Sequence, residues 1–560
     1  MKKLSLPTHP LTRPQKLKNK PPKTNSVITF ICLLVFSSLL SLFIYFNLSQ
    51  SHLVPWDEGQ YILDSFQVSQ AIRKLDLVNF YWLSRNQFYN PFFQSWFLGF
   101  ATLPFGFTVN TARLVSSFLL VPAIFLIWSI GKKLDPNSVK SSFLAVILTA
   151  TSPLVLFYFS NTMREGLGAT LALLTLWLYL TARQSGRNYL FVFTGLSLLL
   201  LSFTKYHYGL LLLVPLGLET AIWFFSPSGF RRKSFWLSQT FLFLPFIFGM
   251  FYWLYPSWRF NWYREILTST YLHHWYSLYD TTLLGHLLYF PQELAMSYSF
   301  SVVEFFLIVI GFLFALKNYK NLAVRLLATL FLVHFFLAER YIENNQARYI
   351  FVSVPALFLV SSFGLKELFP RFIRLLHQPL FLGIVSPFLA VIAFFLLKDL
   401  VLLPSFIKPT ASHQWESAAF YEQDYQNVSR FNFDKSTWPH TPPPPDYERQ
   451  EDIFRFVLSH VNVHSQVTLL GFANELSPGL FNFYIEKARS VTPYSPPVYS
   501  EYLVDFEISP GSRFDSPEYH KGNIYVHQQA RLILQSHELK SIAQKDFPYL
   551  GFKITILGRI

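Results

Sequence analysis

Apolar runs of about membrane-spanning length recur along most of this chain, separated by short polar corners. They lie near 26–47, 109–131, 141–159, 166–182, 188–204, 209–225, 235–254, 300–316, 322–338, 348–365 and 379–403. A bilayer core about 30 Å thick needs roughly 20 apolar residues per helix, so the pattern predicts about eleven transmembrane helices. Pro91 to Phe105 is also apolar, but it is interrupted by Gln94, closed by Pro104 and short for a span. It reads as a helix lying in, or re-entering, the interface. The first run, Ser26 to Phe46, has a basic front like a signal peptide, yet it is longer than the usual apolar region of about 7 to 15 residues. It also lacks a small-x-small cleavage site, so it reads as an uncleaved first helix.

After Leu403 the pattern changes. Apolar runs shorten, charges mix, and the tract Thr441 to Asp446 holds four consecutive prolines, a stiff connector. Beyond it the sequence predicts an amphipathic helix over Glu451 to Val461, a strand at Val467 to Gly471, a helix over Ser477 to Ala488, and β-rich runs near 523–534 and 552–557. The expected organisation is a basic tail (1–25), a transmembrane unit (26–403) whose first outer loop covers 48–108, a Pro-rich connector (404–446) and a small α/β domain (447–560). That last domain shows no Gly-rich phosphate loop, metal-ligand cluster or nucleophile elbow, and the chain shows no internal repeat.

Composition agrees with a membrane protein: 52% of residues are hydrophobic, 19% aromatic and only 14% charged, against about 25% charged in soluble domains. The net charge of +14 is no nucleic-acid signature, because seven Lys or Arg and no acidic residue lie ahead of Ser26. Most other basic clusters fall between apolar runs, where they set topology and meet anionic headgroups. The single cysteine, Cys32, lies inside the first run, which leaves no disulfide framework and no cysteine-based zinc site.

With the basic tail cytoplasmic, an alternating path makes the inner corners those with Lys132, Lys133 and Lys140; Arg183 and Arg187; Arg231, Arg232 and Lys233; Lys317, Lys320 and Arg325; and Lys366, Arg371 and Arg374. Every one is basic, as the positive-inside rule requires. The C-terminal domain then falls on the outer, extracytoplasmic side. The same side collects the odd charges: Asp57, Glu58, Asp64 and Arg85 in the first loop, Arg164-Glu165, Lys205 with His207, the aromatic loop Tyr255 to Ser299, and Glu339 to Tyr349.

Each cluster has a plain reading beside a functional one. Asp57 and Glu58 follow Pro55, as helix first turns prefer, or they are a base and its partner at the membrane surface. On a helix, Asp57, Tyr61 and Asp64 would share a face, with Glu58 about 100° away. Thr162-x-x-Glu165 matches a capping box, or Glu165 is a second acid beside Arg164 in the same cavity. Lys205 and His207 either snorkel or bind a phosphate. Arg348, with Tyr349, would open a helix, where a cation is disfavoured; its anionic partner is Glu339, Glu343 or a ligand.

The long outer loop opening with Trp56-Asp57-Glu58-x-x-Tyr61, then Asn90-Pro91 and Trp96, resembles the GT-C superfamily of integral-membrane glycosyltransferases. The nearest pattern is family 39, which includes protein O-mannosyltransferases and the aminoarabinose transferases that modify lipid A. The resemblance continues through Ser152-Pro153, Arg164-Glu165, Thr204-Lys205 and Gln346-Ala347-Arg348-Tyr349, covering roughly 26 to 400. It implies a GT-C-like, all-α polytopic domain; the α/β domain outside it follows from the span count, and the short basic tail without an ER-retrieval signal fits a bacterial plasma (inner) membrane. The resemblance implies a polyprenyl-phosphate-linked sugar donor and inverting transfer to a hydroxyl of a glycan, lipid or protein. Asp57 would be the base and Glu58 a catalytic partner, with Tyr61, Arg85, Arg164, Glu165, Lys205, His207, Arg348 and Tyr349 binding substrate. Some superfamily members use a divalent cation, so Asp57 and Glu165 are where Mg or Mn would bridge. Two departures stand out: Glu at the second acidic corner, and Asn90 where several members carry Lys, with Arg85 as the substitute. A transporter or flippase of a lipid-linked saccharide is the rival reading; it expects charges at helix centres and a repeat.

Overall fold

In an apolar setting the backbone has no partner but itself, and a helix satisfies every N–H and C=O within one segment. The computed structural model accordingly is mostly helical. It describes residues 23–49, 56–87, 91–136, 138–226, 233–259, 302–341, 348–376, 450–462, 467–470, 478–489, 502–508, 540–547 and 552–558. The expected segments 379–403 and 523–534, the Pro-rich connector, Asn90, the loop beyond Arg259 and the Arg348 side chain lie outside the described residues.

The first ten apolar runs all coincide with helices. They are α1 (Lys23–Ile44), the pair α5 (Val109–Phe118) and α6 (Leu120–Leu134), the pair α7 (Lys140–Thr151) and α8 (Pro153–Ser160), α9 (Arg164–Ser185), α10 (Asn188–Thr204), α11 (Tyr206–Phe224), α12 (Lys233–Arg259), α13 (Val302–Ala315), α14 (Leu322–Tyr341), and a last pair, the single turn α15 (Arg348–Phe351) and α16 (Val354–Leu376). Between the first and second runs stand α2 (Trp56–Arg73), α3 (Leu77–Asn86) and α4 (Phe93–Ala101). Among the described residues, five helices are long and apolar enough to cross a membrane, or six with the bent pair α7–α8 counted as one span. That pair bends by 66° at Ser152-Pro153, because Pro153 cannot continue the hydrogen-bond ladder and Ser152 before it is extended, with ψ 117°. Close crossings are made by small residues: a Cβ on Gly364 of α16 would come within 1.8 Å of the Gly311 carbonyl oxygen on α13.

Polar corners gather at two ends of this bundle. At one end Lys133 donates to Gln184 (2.8 Å), Arg183 lies 3.9 Å over the Trp223 ring, Arg325 forks onto Glu219, and Lys366 pairs with Asp135 (3.1 Å). These are the corners expected to be inner. The corners expected to be outer meet at the other end and form the site described below.

Past the bundle, α17 (Gln450–His460) and α18 (Pro478–Arg489) pack on a four-stranded sheet of β1 (Val467–Leu470), β2 (Tyr502–Ile508), β3 (Lys540–Phe547) and β4 (Phe552–Gly558). The strand order is β1-β2-β4-β3. β1 runs parallel to β2, with Val467 opposite Tyr502, and α18 lies on the crossover such a pairing needs. β4 pairs antiparallel with both β2 and β3. The core of this unit is continuous with α2 and the segment that leads into α5. Ile453, Phe454, Leu480, Phe483, Val504 and Ile556 form one buried cluster with Ile62, Leu63, Phe66 and Phe107.

Candidate active site

Helix α2 starts with Trp56 and presents Asp57 and Glu58 in its first turn, where the amide groups lack acceptors and favour carboxylates. The two acids then part company. Glu58 is fully buried, and Arg113 of α5 forks onto it, Nε to Oε1 at 2.9 Å and Nη2 to Oε2 at 2.6 Å. Oε1 also accepts from the Thr162 amide (2.9 Å) and hydroxyl (3.2 Å), while Arg113 Nη1 donates to the Ser49 carbonyl (2.6 Å). One carboxylate thus ties α2, α5, the turn after α1 and the corner before α9. A buried pair of this kind holds its charges only because its hydrogen bonds are so fully made.

Asp57 is partly exposed. Helical spacing sets it on the face of Tyr61 and Asp64, and that face looks toward α9: the Arg164 guanidinium lies 4.2 Å from the Tyr61 ring centroid. Asp64 is buried, bonded by Gln60 Nε2 (2.8 Å), and burial pushes its carboxyl up to about 6. Arg164 and Glu165 are both buried in the first turn of α9. The capping box suggested by Thr162-x-x-Glu165 is not formed. Met163 is the N-cap residue and makes no side-chain cap, because Thr162 is engaged by Glu58 and Glu165 by α10–α11.

Glu165 Oε1 accepts from Lys205 Nζ (2.8 Å) and the Tyr208 hydroxyl (3.0 Å). Lys205 is the single extended residue between α10 and α11, φ −158° and ψ 121°, a break that turns its side chain toward α9. Its ammonium stands 5.0 Å from the Tyr349 ring and 5.2 Å from the Tyr208 ring, and the His207 and Tyr349 rings are 5.6 Å apart. Arg85 lies further round. It donates to the Trp253 carbonyl (3.1 Å) and the Tyr81 hydroxyl (3.2 Å), among the rings of Tyr81, Tyr252 and Trp253. Trp253 Nε1 in turn donates to the Tyr206 hydroxyl (2.8 Å), linking this aromatic wall to the Lys205 corner.

Asp57, Glu58, Tyr61, Arg164, Glu165, Lys205, His207 and Tyr349 are therefore brought to one end of the bundle, with Arg85 on its rim; Arg348 opens α15 there. Arg113 and Tyr208 join the site without belonging to any motif in the sequence. Arg113 had a signal: a cation inside an apolar run demands a buried partner. Tyr208 had none beyond its place one helical turn from Lys205. The residues do not suit a divalent cation between Asp57 and Glu165, since the Lys205 ammonium already sits on the Glu165 carboxylate. Among the described residues there is also no group of three His, Cys, Asp or Glu side chains that could hold one.

Residues 89–253 match the family model described as dolichyl-phosphate-mannose-protein mannosyltransferase. That stretch contains Arg113, Thr162, Arg164, Glu165, Lys205, His207 and Tyr208 and begins after α2. Among solved structures, ArnT from Cupriavidus metallidurans bound to undecaprenyl phosphate is similar over 96% of this chain and 99% of its own, with TM-score 0.55 and 14% identity. The apo form of the same protein gives TM-score 0.55 and 13% identity over 96% of this chain and 98% of its own. The oligosaccharyltransferase AglB from Archaeoglobus fulgidus, in complex with an inhibitory peptide and a dolichol-phosphate, aligns more loosely: TM-score 0.41 and 10% identity over 86% of this chain and 69% of its own. No curated protein matches by sequence. The chain resembles the GT-C glycosyltransferases and has an ArnT-like GT-C fold.

Proposed function

We propose that this chain is an inverting glycosyltransferase that moves a sugar from a polyprenyl-phosphate donor to an acceptor hydroxyl at the outer face of the plasma membrane. The observation that supports the reading is that one end of an apolar helical bundle carries both a partly exposed acid, Asp57, one turn from the Tyr61 ring that Arg164 overlies, and a cation held in place, Lys205 on Glu165. Such an end is where a donor with an apolar tail and an acceptor in water can meet. The ArnT structure is bound to undecaprenyl phosphate, and the like fold makes that carrier the one to test here.

In this reading the acceptor oxygen attacks the anomeric carbon while Asp57 takes its proton. The bond from that carbon to the phosphate oxygen breaks on the opposite side, which inverts the centre. The electron pair leaves with the polyprenyl phosphate, and Lys205 meets the charge that grows there, held in position by Glu165 and Tyr208. Tyr61, His207 and Tyr349 offer aromatic faces and polar tips to the sugar, and Arg164 and Arg85 supply further positive charge around it. Glu58 is assigned a different task from the one its sequence neighbourhood suggests. With both oxygens engaged by Arg113 and Thr162, it positions α2 and takes no part in the chemistry.

The test is release of polyprenyl phosphate from undecaprenyl-phosphate-linked hexose and pentose donors by purified protein, with cell-envelope extract supplying acceptors. Asp57→Asn is expected to accumulate in membranes like the parent and to lose at least about 100-fold in turnover, the scale of general-base catalysis. Normal turnover in that variant would remove Asp57 as the base. Translocation of the donor without its cleavage would turn the assignment to a flippase.

A further inference from the structure

The sheet-bearing unit carries no chemistry of its own in its sequence, yet it lies along the helix that carries Asp57. α2 and α18 run side by side in the same direction. Gly479 meets Gln60, the Phe483 and Phe66 rings cross edge-on at 5.3 Å, and Glu486 accepts from Gln67 Nε2 at 2.9 and 3.1 Å. The contact at Gly479 is the closest of these. A Cβ there would stand 2.7 Å from both the Cα and the amide nitrogen of Gln60. Those are backbone atoms, so no rotamer change relieves the clash; the seam between α2 and α18 must shift. Gln60 follows Asp57 by three residues, less than one helical turn.

We propose that the C-terminal unit is a working part of the transfer site, with α18 acting as the clamp that positions α2 and therefore Asp57. This rests on the reading of Asp57 as the base. α2 is a polar helix outside the spanning set, so its aim depends on what grips it. Glu58 fixes one side to α5 and the 162 corner, and the seam of Gly479, Phe483 and Glu486 fixes the other. Glu165 stands on α9, Lys205 between α10 and α11, and Tyr208 on α11, all off the seam, so an error in the seam misplaces the base more than the cation that meets the donor phosphate. A misplacement of about 1 Å can lower a rate about 100-fold.

The experiment uses the full-length protein and the undecaprenyl-phosphate-linked donor assay, with hydrogen exchange of residues 57–64 as a second readout. Gly479→Ala is expected to lower kcat at least tenfold with donor KM within twofold of the parent, and to speed exchange in 57–64. Gly217→Ala, where an added Cβ meets nothing within 4 Å, should match the parent. Glu486→Ala should also lower kcat, while Glu486→Gln, which keeps an acceptor for Gln67, should recover most of it. A Gly479→Ala protein with parental kcat and exchange, beside an inactive Asp57→Asn, overturns the clamp and leaves the transfer reading standing. Should Gly479→Ala fail to accumulate, equal kcat for Glu486→Ala and Glu486→Gln overturns it in the same way. Turnover by Asp57→Asn overturns both.

Discussion

Asp64 shares the face of α2 with Asp57 but lives in another environment. It is buried where α2 meets α9 and α18; loss of water raises its carboxyl to about 6, the Gln60 bond and Arg164 pull it back, and Glu486 pushes it up. Its native value lies above the 3.8 of an open chain, so the native state binds the proton more tightly. Its contribution to stability is therefore full below about 3.8 and lost as pH rises through about 6. The difference is worth about 2 to 3 kcal/mol. Asp64→Asn should raise the melting temperature of detergent-solubilised protein at pH 7.5 and narrow to no gain near pH 4; a gain independent of pH would refute the assignment. The sequence alone could not separate Asp57, Glu58 and Asp64 in this way. It made all three visible as acids beyond an apolar run, and helical spacing grouped two of them, but which one stays exposed depends on Arg113, Thr162 and Glu486, far away in the chain.

Elements were easier to read than their ends. Apolar runs fix where helices form because the backbone has no alternative in lipid, and ten runs are helical as expected. Their corners depend on competition for the same side chains. Thr162 and Glu165 had the spacing of a capping box, yet each found a stronger partner across the bundle. β3 was invisible for another reason: as a strand whose side chains are mostly exposed, it carries no apolar alternation to detect. The Glu58–Arg113 pair joins four of these elements and carries a prediction of its own. Glu58→Gln leaves the Arg113 charge buried without its counter-charge, at a cost of about 3 to 5 kcal/mol. Protein with that change should melt well below the parent and accumulate poorly, whereas Asp57→Asn should do neither. Glu58→Leu with Arg113→Met should recover part of the loss, because the charge and its partner leave together. Equal melting of parent and Glu58→Gln would return Glu58 to the list of catalytic candidates.

At the scale of the whole molecule, the structure sorts polar corners into two sets. One end joins Lys133 with Gln184, Arg183 with Trp223, Glu219 with Arg325 and Asp135 with Lys366; the other joins Glu58 with Thr162, and Glu165 with Lys205 and Tyr208. The Lys and Arg pattern alone assigned the same corners to the same two sets, since alternating passes through a bilayer leave few choices. Which set faces the cytoplasm depends on the positive-inside rule, and the single cysteine makes that testable. In a Cys32→Ser background, Lys74→Cys in the turn after α2 and Arg187→Cys in the turn between α9 and α10 each place one thiol at an exposed position. A membrane-impermeant maleimide added to intact spheroplasts is expected to label the thiol at 74 and to reach the one at 187 only after the membrane is opened. The reverse pattern would put Asp57 and Lys205 on the cytoplasmic side. Labelling of both without opening would mean that the two corners lie on one face, which an odd number of passes between them forbids.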